Sequence, residues 1–128
     1  MSVKDDNVAI LLDWRKNRIR IYKEVLYQLG KPSNVCLLVN PEKMTIAIKG
    51  TGYNEGVTHK VDWDTLIGDR CFELYSKPFL VKLFNLKSDW DDEHNYRIHG
   101  TINKRIGVAE FNINDAISID EFNGEEDE

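Results

Sequence analysis

The run Asp89-Trp90-Asp91-Asp92-Glu93-His94 holds the densest set of potential metal ligands and acid–base groups in the chain. Carboxylates and an imidazole so close together suit a hard cation or a proton transfer. A calcium loop, however, needs oxygen ligands at alternate positions around a central glycine, and this run has neither that spacing nor that glycine. No second cluster stands ready to pair with it, so it reads as a solvated loop. His59, His94 and His99 fall into no ligand or triad pattern. Cys36 and Cys71 lack the C-x-x-C spacing of a zinc or redox site, and Cys36, inside an apolar run, reads as a small core residue. Gly50-Thr51-Gly52 lacks the lysine and helix that complete a phosphate loop, and no serine lies in a nucleophile elbow. The expectation is a non-enzymatic protein with no metal and no cofactor.

The remaining chemistry is charge. The chain has 128 residues and a formal net charge of −5. That balance argues against a protein that coats nucleic acid with its whole surface, while leaving room for a basic face on an acidic body. Asp120, Glu121, Glu125, Glu126, Asp127 and Glu128 account for the imbalance, and residues 121–128 read as an acidic flexible tail. Lys23 and Lys31 accompany one helical stretch, and Lys77, Lys82 and Lys87 another, so both stretches are locally basic. They are candidate phosphate contacts; the competing reading is the solvated face of two amphipathic helices, and Glu24 favours it. Arg18, Arg20 and Trp90 are candidate partner contacts, the arginines alternatively guarding a strand edge. Trp14, Trp63 and Trp90 all stand beside acidic residues, which suits either exposed anchors or side chains at the rim of the core.

Composition places these residues on a folded body. At 41% hydrophobic and 30% charged residues, the chain matches a globular domain, and its length suits a single one. Its apolar runs are too short to cross a bilayer, and the N-terminus lacks the order of a secretory signal, so the expectation is a cytosolic protein with no membrane partner.

Residues 1–17 read as a partly ordered extension in which 8–12 favour a short helix, capped by Asp5, Asp6 or Asn7. Arg18-Ile19-Arg20-Ile21 alternates with period two and predicts a strand. Tyr22, Val25, Leu26 and Leu29 then share one helix face, with Gly30 and Pro32 ending it. Residues 34–40 and 44–49 predict a hairpin, because Asn40-Pro41 has type I turn chemistry. Residues 57–63 predict a third strand. The order then recurs. Phe72-Glu73-Leu74-Tyr75 leads into a helix capped by Ser76 and running to about Leu86, with Phe79, Leu80, Leu83 and Phe84 inward. A second hairpin follows over 95–102 and 105–112, and then a strand over 116–119.

Strand, helix and three antiparallel strands, repeated once, resembles one domain of the DNA sliding clamps, the polymerase processivity factors. The resemblance covers roughly residues 18–120 and is one of topology, with no signature motif. It implies an α+β fold built from a duplicated β-α-β-β-β unit, in which two helices pack on antiparallel sheet. The units would be 18–63 and 71–120. It further implies that Lys23, Lys31, Lys77, Lys82 and Lys87 face the phosphates of duplex DNA. Clamp chains ordinarily carry more than one such domain, so a single domain implies a homo-oligomer or a DNA-handling protein partner. The alternative expectation is a protein-interaction or regulatory module without nucleic acid, working through an exposed sheet edge or the Trp90 loop.

Overall fold

A computed structural model of the chain describes residues 7–52, 58–66 and 70–119. The expected acidic tail, the first residues of the N-terminal extension, and residues 53–57 with the start of the expected third strand lie outside them.

The strands are β1 (Ala9–Asp13), β2 (Arg18–Tyr22), β3 (Asn34–Asn40), β4 (Thr45–Thr51), β5 (His59–Lys60), β6 (Cys71–Tyr75), β7 (Asn95–Asn103), β8 (Val108–Asn112) and β9 (Ile117–Ile119). The helices are α1 (Lys23–Gln28), the single turn α2 (Trp63–Leu66) and α3 (Lys77–Leu86). The fold is mixed α+β, and every strand pairing is antiparallel.

One continuous sheet runs in the order β5-β3-β4-β8-β7-β1-β2-β6, with β9 also on β7. It curls into a barrel that nearly closes, around a core that includes Ile10, Leu12, Ile19, Ile21, Ile46, Ile48, Ile98 and Phe111, all at 0% exposure. The curl is achieved at β7, whose first half pairs with β1 and β9 and whose second half pairs with β8. Gly100 stands at that change of partner. A Cβ there would lie 2.3 Å from the Glu110 carbonyl oxygen and 2.4 Å from the Phe111 ring, so only glycine admits so close a strand.

The region 8–12 is a strand and not the expected helix. β1 is the central strand between β7 and β2, and every residue in it is buried. Its register sets Leu11 between Arg20 of β2 and Arg97 of β7, whose stems flank the outer face as well. A strand covered on both sides has no polar alternation, which is why its sequence carries no period-two signal.

The helices follow their local chemistry. The Ser76 hydroxyl accepts from the Phe79 N–H (3.4 Å), Pro78 sits in the first turn of α3, and Leu80 and Leu83 are fully buried. α1 buries Val25 and Leu26 and ends at Gly30 with φ +90°. The first hairpin pairs Asn40 with Thr45, and the Asn40 side chain accepts from the Glu42 and Lys43 N–H groups (3.1 Å each). Among the described residues of the expected third strand, 58–63, only the two-residue β5 forms before α2 begins at Trp63.

Strand, helix and three strands occur twice in chain order. The two sets are placed differently in the sheet. β5 lies on the edge of β3 opposite β4, whereas β9 lies on the same edge of β7 as β8, and β1 occupies the other.

Candidate functional site

The structure distributes the expected lysines over several surroundings. Lys23 opens α1, its ammonium donating to the Leu66 carbonyl at 3.4 Å. Lys31 follows Gly30 with φ +54° and sets its ammonium 5.9 Å from the Tyr27 ring centre and 5.3 Å from that of Trp63. Lys87 bonds to Asn114 (3.2 Å) and pairs with Asp89 (3.5 Å). Lys77 and Lys82 are exposed on α3 and have no ion pair among the described residues. Three of the five cations thus already have local partners.

Arg18 and Arg20 belong to a charge relay on the outer face of the sheet. Arg18 donates to Asp13 at 2.9 Å and reaches Glu73 at 3.4 Å, and Arg20 pairs with Glu73 at 3.1 Å. The strand register makes this possible, because Asp13 lies opposite Arg18 and Arg20 opposite Glu73. These arginines tie β1, β2 and β6 together.

Trp90 stacks on Tyr96 with ring centres 4.4 Å apart and meets Phe84 edge-on at 5.4 Å. Trp14 lies 4.4 Å from Phe84, and the Trp63 indole donates to the Pro32 carbonyl at 2.8 Å. All three tryptophans thus pack at the rim of the core. In the acidic loop, the Asp91 carboxylate accepts from the Glu93 N–H (3.0 Å) and meets His94 Nδ1 at 2.7 Å. The His94 hydrogen bond holds the Asp91 carboxyl below the usual carboxylate range. Among the described residues no three His, Cys, Asp or Glu side chains are grouped to hold a metal ion.

The alternative expectation of an exposed sheet edge named no strand; such an edge lies where the sheet fails to close. β5 covers β3 only at Asn34 and Val35, so Cys36, Leu37, Leu38, Val39 and Asn40 have no strand on that edge among the described residues. The other end of the sheet, β6, pairs only with β2 among the described residues. The two edges differ in chemistry. β6 carries Glu73 at its centre, held by two arginines, and an ionised residue deters a further strand. The open part of β3 carries no charge, and Leu38 on its outer face is 52% exposed.

The start of α3 stands across the gap from this edge. Leu37 and His59 on one side and Ser76, Pro78, Phe79 and Lys82 on the other line a cavity of about 290 Å³. Burial pushes the His59 pKa below its ordinary value, favouring the neutral imidazole. Lys82 and Phe79 were legible as helix residues. Nothing local announces that β3 and β5 come to face them.

Comparison with protein-family models, curated proteins and solved structures returns no match to this chain. No helix among the described residues is long and apolar enough to cross a membrane.

Proposed function

We propose that this protein is a non-enzymatic interaction module whose partner adds a strand to the open edge of β3. The observation that carries this reading is the uncharged edge 36–40, with Leu38 exposed beside it, in a sheet whose opposite end is guarded by Glu73. An unguarded edge offers a row of backbone N–H and C=O groups at the spacing that an extended peptide needs. Main-chain pairing supplies affinity, and the side chains alternating to either face supply selectivity.

The test is selection of linear phage-displayed peptides on the whole chain, followed by affinity measurement against Leu38→Lys. Lysine at an edge is a natural guard, and Leu38 is exposed enough for the exchange to leave the fold intact. Binding weakened about tenfold or more is the expected result, equivalent to about 1.4 kcal/mol. Peptides that bind Leu38→Lys as well as the parent chain would remove the reading.

A second reading has one observation in its favour, the recurrence of strand, helix and three strands over residues 18–60 and 71–119. It supports a duplicated clamp-like unit that self-associates, or joins a DNA-handling partner, and meets duplex DNA through helix lysines. Lys77 and Lys82 are then the available cations, since Lys23, Lys31 and Lys87 are engaged locally. Retention of duplex DNA at low salt, lost on Lys77→Glu with Lys82→Glu, would favour this reading over the first.

A further inference from the structure

The open edge of β3 and the first turns of α3 are the two walls of one cleft. Residues opposite one another in a strand pair share a face of the sheet. Leu37 lies opposite the buried Ile48 and His59 opposite the buried Val35, so both point to the core side, where the cavity is. A strand added along β3 would direct the residue facing Leu37 to that same side, between Leu37 and Phe79. Its neighbours on either side would point outward, beside Cys36 and Leu38. The cavity, at about 290 Å³, has room for one aliphatic or aromatic side chain.

Charge identifies what accompanies that anchor. The chain as a whole is acidic, at −5, yet among the described residues no carboxylate lines the cleft. Lys82 lines it, is exposed and has no ion pair among the described residues. At about 0.1 M salt the Debye length is about 10 Å, so an arriving segment meets this lysine more strongly than the distant net charge.

We infer that the cleft between β3 and α3 binds an extended anionic peptide, with an apolar anchor side chain in the cavity and, two residues from it on the same face, Asp or Glu toward Lys82. This rests on the reading of β3 as the partner-binding edge. It adds the chemical class of the partner, which that reading leaves open.

The experiment is the same peptide selection, carried out in parallel on the whole chain and on its Lys82→Glu variant. Lys82 is exposed, and an unchanged unfolding midpoint verifies that the variant folds. The parent chain is expected to enrich peptides with an aliphatic or aromatic residue and Asp or Glu two positions from it. Those peptides should bind Lys82→Glu about tenfold more weakly at low salt, with the difference shrinking as salt rises. The variant should in turn enrich Lys and Arg at that position. Neutral or basic peptides from the parent chain, or affinities indifferent to Lys82→Glu, would overturn the anionic class. If those same peptides still lost affinity on Leu38→Lys, the edge reading would survive. Failure of the selection to enrich any peptide would overturn both.

Discussion

Replacing Gly100 with alanine is expected to destabilise the fold by about 3 kcal/mol or more, at the upper end of what overpacking costs. The obstacle is rigid on both sides. The new methyl would meet a backbone carbonyl of β8 at 2.3 Å and the ring of Phe111 at 2.4 Å, and Phe111 is itself fully buried. Gly100 is also fixed in place, because its N–H donates to the Val8 carbonyl at 3.0 Å while it pairs with Phe111 on the other edge. Neither strand can retreat without opening the barrel where it bends. Urea unfolding should show the midpoint falling with the slope unchanged. A loss below about 1 kcal/mol would mean that β8 does not approach β7 this closely.

Asp13→Ala is the second large effect, with an expected loss of about 2–4 kcal/mol. Asp13 is 3% exposed at the end of the central strand and makes two kinds of bond. It accepts from the backbone N–H of Lys16, which shapes the turn into β2, and from the guanidinium of Arg18. Removing it leaves a largely buried cation short of its shortest partner, which is the costly way to break an ion pair. Glu73 still reaches Arg18 at 3.4 Å, so the loss should fall below that of a fully isolated charge. A double-mutant cycle of Asp13→Ala with Arg18→Met should give a coupling of about 1–3 kcal/mol. Additive effects would show that the 2.9 Å contact contributes nothing of its own.

Local chemistry was readable in the chain wherever a few neighbouring residues settle the outcome. Ser76 before Lys77-Pro78 marked the start of α3, Asn40-Pro41 marked the hairpin turn, and the alternation at Ile19 and Ile21 gave the buried face of β2. β1 misled for a physical reason. A strand buried on both faces is apolar throughout, and the polar residues before it resemble helix caps. The surroundings of the candidate site residues were less legible. Lys31, Arg18 and Trp90 look available in sequence, but their partners Trp63, Glu73 and Tyr96 are distant or become neighbours only through folding. The cleft joins residues from β3, β5 and α3, whose meeting depends on how far the whole sheet curls. No short motif encodes that distance.

Amide hydrogen exchange across β3, read residue by residue, tests most directly whether its edge is open. In an antiparallel strand, alternate N–H groups point to opposite edges, so over residues 36–40 one set faces β4 and the other faces the cleft. The cleft-facing amides should exchange orders of magnitude faster than their β4-facing neighbours in the free chain, and should slow when a selected peptide is added. Uniformly slow exchange across 36–40 in the free chain would contradict an open edge and, with it, the proposed mode of binding.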